Sequence, residues 1–222
     1  HIAKTLLFAI KSNNLSHAYL LCGPRGTGKT TTARLLAKAF NCLELDKQRK
    51  ENKDLTGEPC NKCDACCEID RGAAVDVIEI DAASHTKVDE IREIIDKVSF
   101  APNKFTKKVY IIDEVHMLSN SSFNALLKTL EEPPKHVVFI LATTEPYKLP
   151  ATVLSRVQRY DFHRISKEDI KKNLKKIAEK EKISINEDAL DLLAVNADGV
   201  HRDAISLFEQ ISSISSNIKK ED

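Results

Sequence analysis

Short apolar runs alternate with amphipathic stretches along most of the chain. The apolar runs predict β-strands at residues 18–22, 75–80, 108–112 and 137–141. Apolar residues at helical spacing predict helices at residues 2–12, 30–40, 87–98 and 119–130, the last with Ser119 as its N-cap. Strands that alternate with helices indicate an α/β fold, in which a mostly parallel sheet is covered by helices on both faces.

Two parts of the chain depart from this alternation. Between residues 41 and 72 the pattern dissolves into charged residues followed by four closely spaced cysteines, which is typical of an inserted module. After residue 164 we expect no further strands, because three helical patterns follow at 166–180, 186–195 and 201–214. These patterns predict a small all-helical domain.

Composition and charge narrow the possible functions. The 222 residues, 42% of them hydrophobic, suffice for one medium domain and one small one. The 34 basic and 33 acidic residues nearly cancel to a formal charge of +1, which excludes a globally basic nucleic-acid coat. No stretch approaches the roughly 18 apolar residues that span a bilayer, so we expect a cytoplasmic protein without membrane contact. Because His1 already lies in a helical pattern, we expect a chain cut from a longer protein.

A phosphate-binding motif joins the first predicted strand to the next helix. Residues 23–30 read GPRGTGKT, which fits G-x-x-x-x-G-K-[ST] in the strand, turn and helix context that the motif requires. Glycines let backbone N–H groups curl around phosphates, and the helix N-terminus adds partial positive charge. We predict that ATP binds here, with Lys29 on the β- and γ-phosphates and the Thr30 hydroxyl on Mg²⁺. The predicted nucleotide-binding residues are Gly23, Pro24, Arg25, Gly26, Thr27, Gly28, Lys29, Thr30 and Thr31.

An acidic pair ends the third predicted strand. Asp113 is predicted to bind Mg²⁺, directly or through water, and it completes the nucleotide-binding set. Glu114 is predicted to polarise the attacking water as general base. Thr144, after the fourth strand, could hold that water against the γ-phosphate; alternatively, Thr143 and Thr144 simply begin a loop.

The cysteines are clustered. In a reducing compartment six cysteines do not indicate a disulfide framework, and clustering points to a metal. Three have C-x-x-C-x-x-C spacing and a fourth lies upstream, which predicts a closed tetrahedral Zn²⁺ site of structural role. Cys67 is an alternative ligand, an iron–sulfur cluster is the alternative use of the set, and Cys22 is predicted to be core. The predicted zinc ligands are Cys42, Cys60, Cys63 and Cys66.

A segment with so few apolar residues is not expected to pack by itself. A metal that contributes roughly 10 kcal/mol or more of apparent binding free energy would explain how it becomes ordered.

Together these segments resemble the gamma/tau subunits of the bacterial DNA polymerase III clamp loader, a family of AAA+ ATPases. The likeness runs from residue 1 to about residue 217. The cysteine insertion after the phosphate-loop helix separates this family from most other AAA+ proteins. Three segments carry the likeness: VDVIEIDAAS at 75–84, YIIDEVHML at 110–118 and SFNALLKTLEEPP at 122–134.

The resemblance implies a division into two domains. A RecA-like AAA+ ATPase domain is expected at residues 1–165, with the zinc module at about 42–71, and a helical lid domain at 166–222.

The resemblance also implies roles for two arginines. In such loaders an S-R-C motif places an arginine finger in the ATP site of the neighbouring subunit. Here Ser155 and Arg156 match its start and Val157 replaces the cysteine, so Arg156 is expected to act in trans. Arg202, in the segment GVHRD, is expected to sense the γ-phosphate in its own subunit.

Three lysines match positions that the family is thought to turn toward DNA. Lys87, Lys128 and Lys148 are expected to contact DNA phosphates. His85 stands where relatives often have arginine.

The function implied is an ATP-driven loader that opens a ring-shaped sliding clamp and places it on primed DNA, as one of five subunits. The family's N-terminal segment, which helps to clasp adenine, and its C-terminal collar are missing here, so we expect this fragment to bind nucleotide weakly and to be monomeric. Another AAA+ motor, such as a branch-migration helicase or a loader of the eukaryotic type, is the alternative that the cysteine insertion argues against. A non-enzymatic zinc-containing DNA-binding module is the alternative that the complete phosphate loop and the acidic pair argue against.

Overall fold

The computed structural model describes residues 2–51, 55–84, 88–214 and 217–218. Lys87, one of the three predicted DNA contacts, lies outside the described residues, as does His85.

Helices account for most of the secondary structure. Within the described residues the α-helices are α1 (Ile2–Lys11), α2 (Lys29–Asn41), α3 (Leu43–Lys50), α4 (Asp64–Asp70), α5 (Val88–Val98), α6 (Asn120–Glu131), α7 (Ala151–Leu154), α8 (Lys167–Glu181), α9 (Glu187–Asn196) and α10 (His201–Ser212). Each is too short or too polar to cross a membrane. Ser119 caps α6 as predicted, because its hydroxyl accepts a hydrogen bond from the Ser122 N–H.

The strands form one large sheet and one small one. They are β1 (Ala18–Cys22), β2 (Val77–Asp81), β3 (Lys108–Asp113), β4 (Val137–Thr143), β5 (Gln158–Asp161), β6 (Ser184–Ile185) and β7 (Asn217–Ile218). The first five lie in the order β2-β3-β4-β1-β5, and all neighbouring pairs are parallel. Every residue of β1 and β4 is buried, as expected for central strands of a parallel sheet. The predicted α/β fold is confirmed.

The register brings several polar strand ends to one edge of this sheet. Cys22 lies opposite Thr143, Asp81 lies opposite Asp113, and Ile112 lies opposite Leu141. The acidic pair after β3 and the threonines that end β4 therefore meet at the carboxyl edge, where parallel sheets bind ligands.

Three features of the fold were not predicted. The strand β5 has the sequence QRYD, in which only Tyr160 is buried, so it lacks an apolar run. The cysteine segment contains α3 and α4, which bury Leu45, Ala65 and Ile69, so its apolar residues do pack. The expectation that strands stop after residue 164 was wrong, because β6 and β7 pair in parallel; at two residues each they are too short to leave a pattern.

The chain forms two compact units, each with its own core. One comprises residues 1–22 and 29–161, and its core lies on the sheet under α5, α6 and α7. The other comprises the phosphate loop, Gly23–Gly28, together with residues 162–222, and its core is formed between α8, α9 and α10. The predicted domain boundary after residue 165 stays a prediction.

A buried carboxylate fixes the loop that leads into β3. Asp76 is 2% exposed and accepts hydrogen bonds from the backbone N–H groups of Asn103, Lys104 and Phe105, at 2.7, 2.7 and 2.8 Å. Burial opposes ionisation of Asp76, but these three bonds outweigh it and lower its pKa. The amino end of β3 is thereby held in place.

Candidate functional site

The phosphate loop has a backbone that only glycine adopts easily. Gly26 has a φ of +72°, and a Cβ placed there would lie 2.4 Å from Cγ1 of Val200 and 3.3 Å from Cβ of Arg202. Gly23 has a φ of +140°, and its Cβ would lie 2.2 Å from the carbonyl oxygen of Phe162. Within its unit the loop is thus packed too closely for side chains at these two positions. Arg202, the predicted γ-phosphate sensor, lies beside it.

The remaining motif residues differ in exposure. The Thr27 hydroxyl donates a hydrogen bond to the Pro24 carbonyl at 2.8 Å, which closes the turn. Lys29, the first residue of α2, is buried, whereas Pro24, Arg25 and Thr31 are exposed.

Thr30 and Asp113 meet although 83 positions separate them. The Thr30 hydroxyl donates to Oδ2 of Asp113 at 2.6 Å. Two oxygens bound at neighbouring positions of an octahedral Mg²⁺ are about 2.9 Å apart. The two predicted magnesium ligands therefore lie close enough together to contact one ion after a small separation.

Glu114 and Thr144 also meet. Oε2 of Glu114 accepts hydrogen bonds from the hydroxyl of Thr144 at 3.0 Å and from its N–H at 3.4 Å. Glu114 has left-handed backbone angles, φ 46° and ψ 44°, and it precedes a 3₁₀ turn at Val115–Met117. The carboxylate and the hydroxyl that were predicted to hold one water are thus neighbours.

A histidine that sequence reasoning did not single out lies beside this pair. The His116 side chain is 6% exposed. Its Nδ1 is 2.9 Å from the Thr143 hydroxyl oxygen and 3.4 Å from Oε2 of Glu114, and its Nε2 is 3.0 Å from Oε2 of Glu145. The only sequence signal was its place two residues after Glu114.

The four predicted zinc ligands form one cluster. The Sγ atoms of Cys42, Cys60, Cys63 and Cys66 all lie within 4.8 Å of one another. Zn–S bonds of about 2.3 Å in a tetrahedron place sulfurs about 3.8 Å apart, so the cluster can close on one ion with small adjustments.

Backbone N–H groups point at the sulfurs. The Cys60 N–H donates to Sγ of Cys42 at 3.4 Å, and the Cys63 N–H donates to Sγ of Cys60 at 3.3 Å. Burial opposes ionisation of Cys60, but hydrogen bonds from Lys62 and Cys63 outweigh it and lower its pKa to about 7. Burial raises the pKa of Cys66. The thiol of Cys67 instead donates to the Lys62 carbonyl at 3.7 Å, outside the cluster.

Cys22, the remaining cysteine, lies in the core of the sheet at 2% exposure. This is where the sequence placed it.

In the described part of the chain, the predicted finger and the two DNA residues form neither a hydrogen bond nor an ion pair with Thr30, Asp113, Glu114 or Thr144. Arg156 pairs with Oε1 of Glu131 at 2.7 Å and donates to the Thr152 carbonyl at 2.7 Å. Lys128 is exposed on α6. The Lys148 ammonium donates to Oε2 of Glu145 at 2.8 Å.

Known proteins resemble the chain along nearly its full length. It is 54% identical over 220 residues to DNA polymerase III subunit tau of Bacillus subtilis, which covers 99% of this chain and 38% of that protein. It is 50% identical over 210 residues to DNA polymerase III subunit tau of Escherichia coli, which covers 95% of this chain and 31% of that protein. The chain spans about a third of the length of these relatives.

A solved structure shares the fold. The Thermotoga maritima RuvB Holliday junction branch migration motor matches with a TM-score of 0.66 over 98% of this chain and 63% of that one. At 20% identity this likeness concerns the fold alone.

Two protein families match consecutive parts of the chain. Residues 169–216 match the family described as the ATPase lid domain of the DNA polymerase III clamp loader subunit. Residues 1–166, three quarters of the chain, match the family described as DNA polymerase III, delta subunit. The chain therefore belongs to the DNA polymerase III delta subunit family, and its expected likeness to the gamma/tau subunits of that polymerase is confirmed.

Proposed function

We propose that this chain binds and hydrolyses ATP to drive the loading of a sliding clamp onto primed DNA. The observation that carries the proposal is the 2.6 Å contact between the Thr30 hydroxyl and the Asp113 carboxylate. These two oxygens come from the phosphate-loop motif and from the end of β3, and an NTPase of this class uses such a pair to hold Mg²⁺. Mg²⁺ held by Thr30 and Asp113 would neutralise the negative charge that develops during phosphoryl transfer.

The other predicted site residues have separate roles in this proposal. Lys29 carries the positive charge that the β- and γ-phosphates need. Glu114 takes the proton of the attacking water, and Thr144 orients that water, because both would contact one water at hydrogen-bonding distance. Arg202 follows Val200, whose side chain touches the phosphate loop, and it would read whether the γ-phosphate is present.

Hydrolysis is completed by a second subunit in this proposal. Arg156 serves the site of a neighbour, in a five-membered assembly that belongs to the DNA polymerase III complex. Its pair with Glu131 is exposed and therefore worth about 1 kcal/mol or less, so it would give way readily to a phosphate.

The cysteine cluster is proposed to hold Zn²⁺ with a structural role. Four thiolates leave no open position for a substrate. Two of the sulfurs already accept backbone N–H bonds, which favour the thiolate that zinc requires.

DNA is proposed to be held through its phosphates, without reading of the base sequence. Lys128 and Lys148 are exposed or half-exposed cations that could take part, and Lys87 is proposed with them on the sequence alone.

The test compares two substitutions in the full-length protein within its assembly. Glu114→Gln should retain ATP binding and lower steady-state turnover by about 10² to 10⁴, because the phosphate contacts survive while the water loses its base. Lys29→Ala should weaken ATP binding itself. Binding of a fluorescent ATP analogue and release of phosphate are the two measurements.

Glu145, which lies near the site but takes no part in the proposed hydrolysis, cannot serve as a neutral control because it contacts His116. Glu179→Gln, on the exposed face of α8, is the matched control and should change neither measurement. Normal turnover by Glu114→Gln, or normal ATP affinity of Lys29→Ala, would contradict the proposal.

A further inference from the structure

A continuous set of polar contacts connects Glu114 to Lys148. His116 contacts Thr143 on one side of its ring and Glu145 on the other. Glu145 in turn accepts from Lys148 through Oε2 and from the Tyr147 hydroxyl through Oε1. The path thus begins at the proposed general base and ends at a proposed DNA contact.

The contact with Glu145 indicates the tautomer of the neutral His116 ring. A carboxylate only accepts hydrogen bonds, so the 3.0 Å contact between Nε2 and Oε2 of Glu145 places the ring proton on Nε2. Nδ1 is then the acceptor, and Nε2–H donates to Glu145. Both ring nitrogens therefore contact residues at the end of β4 and just after it, Thr143 and Glu145.

The contacts along this path differ in how far they are exposed to water. Thr143 is fully buried and the His116 side chain is 6% exposed, so the bonds between them are little screened by water. The Glu145 and Lys148 side chains are 30% and 49% exposed, so their pair is open to competition from an external anion. A buried inner part thus connects to an accessible outer end.

We propose that His116 is a positioning residue that transmits the state of the Glu145–Lys148 pair to Glu114. This inference rests on the proposed function, because it assumes that Glu114 is the general base and that Lys148 meets DNA phosphate. A phosphate of primed DNA competes with Glu145 for the Lys148 ammonium. Once Lys148 turns to the phosphate, Glu145 loses one of the three side-chain partners that it has among the described residues, and the His116 ring shifts with it.

The shift reaches Glu114 through the neighbouring threonines. Thr143 follows the ring because its hydroxyl donates to Nδ1. Thr144 is the next residue, and it supplies both hydrogen bonds that Oε2 of Glu114 accepts. A change at Lys148 therefore alters how Glu114 is held, and the rate of hydrolysis comes to depend on DNA.

The experiment measures turnover with and without primed DNA, using the full-length protein in its assembly. The readout is the ratio of the two rates. In His116→Ala we expect this ratio to fall by about fivefold or more, the size of a typical coupling between two sites. Affinity for a fluorescent ATP analogue should stay at the wild-type value, since no nucleotide-binding residue is changed. Lys148→Ala should lower the ratio similarly.

A double-mutant cycle separates transmission from independent damage. If His116 and Lys148 act on one path, His116→Ala with Lys148→Ala should lower the ratio no further than either change alone. Ratios that multiply would overturn the proposal. His136→Ala and Lys180→Ala, which change the same residue types away from the path, are the matched controls.

Two conservative variants keep the test decisive if His116→Ala fails to fold. Gln at this position can still donate toward Glu145, and Asn can still accept from Thr143, so each retains one buried hydrogen bond. Because the path needs both ring nitrogens, both variants should lose the DNA-dependent ratio while they bind the ATP analogue normally. A wild-type ratio in either one would overturn the proposal.

Failure of this inference can be told from failure of the proposed function. If Lys29→Ala loses ATP binding and primed DNA stimulates the wild type, an unchanged ratio in His116→Ala overturns the transmission alone. If primed DNA does not stimulate the wild type, the transmission proposal alone falls. If Lys29→Ala hydrolyses ATP normally, both proposals fall.

Discussion

Glu114 has a backbone conformation that glycine adopts more readily. A residue with a side chain in the left-handed region costs about 1–2 kcal/mol. The conformation persists because the Glu114 N–H donates to its neighbour Asp113 at 2.9 Å and its carbonyl accepts from Met117 at 2.8 Å. The left-handed conformation directs the Glu114 carboxylate toward Thr144. This residue therefore lowers the stability of the fold in return for the placement of its carboxylate.

This strain can be measured with two substitutions that both remove the carboxylate. We expect Glu114→Gly to be about 1 kcal/mol more stable than Glu114→Ala, because only glycine relieves the left-handed strain. Urea unfolding monitored by circular dichroism gives the difference. The same pair at Glu179, inside α8, should show the opposite sign, with glycine about 1 kcal/mol less stable than alanine. An equal or lower stability of Glu114→Gly would show that the turn holds no strain.

Single residues were predictable where a motif gives each position a role. Thr30 and Asp113 were assigned to one magnesium ion from separate motifs, and the structure brings them together. His116 was not found, because its partners Thr143 and Glu145 lie at the end of β4 and just after it, and the pairing of β3 with β4 makes them neighbours. The contact between Arg156 and Glu131 could not be predicted either, because the two residues are distant in sequence and meet only in the folded chain.

Elements were predictable where hydrophobic periodicity was strong. The strand β1 was predicted with its observed bounds, because AYLLC is a continuous apolar run next to a glycine turn. The strand β5 was not predicted, because its sequence is mostly polar and its position depends on pairing with β1. The helices α3 and α4 were not predicted either. They bury few apolar residues, and charged residues and cysteines fill most of the other positions, so no helical periodicity of apolar residues stands out.

The cysteine segment depends on more than its small core. Lys38, buried on α2, pairs with Asp70 at the end of α4, so one ion pair also holds the segment. A Zn²⁺ ion would add roughly 10 kcal/mol or more of apparent binding free energy. Metal should therefore dominate the order of these two helices.

We expect one zinc ion to copurify with each chain and to be lost on Cys60→Ser. Chelation should raise amide hydrogen exchange in residues 42–71 far more than in β1 and β4, which pack without any metal. Elemental analysis and mass-resolved hydrogen exchange are the measurements. Cys67→Ser is the matched control and should keep its zinc, since Cys67 lies outside the cluster. A metal-free wild type, or iron in place of zinc, would contradict the assignment.

At the scale of the assembly, one chain would hold only part of each hydrolytic site. If Arg156 acts on a neighbour, two inactive variants should complement each other. An assembly that mixes Arg156→Ala chains with Glu114→Gln chains contains interfaces where an intact Glu114 faces an intact Arg156. Phosphate release should therefore reappear, although Arg156→Ala alone is slowed by about 10³ or more and Glu114→Gln alone by about 10² to 10⁴.

The control for this complementation is a mixture of Lys29→Ala with Glu114→Gln. Both changes lie in the same half of the site, so no interface is restored and the mixture should stay inactive. If the first mixture stays inactive, Arg156 acts in its own subunit. If the control mixture regains activity, Lys29 and Glu114 do not serve the same site.

The phosphate loop belongs to the same compact unit as residues 162–222, although the whole of 29–161 separates them along the chain. Ribosomes deliver the amino end first, so the loop is made long before the helices that complete its unit. A nascent chain that ends before residue 162 carries the GKT sequence without the side chains, such as Val200, that pack on Gly26. The packing around the loop is therefore completed only after residues 162–222 have been translated.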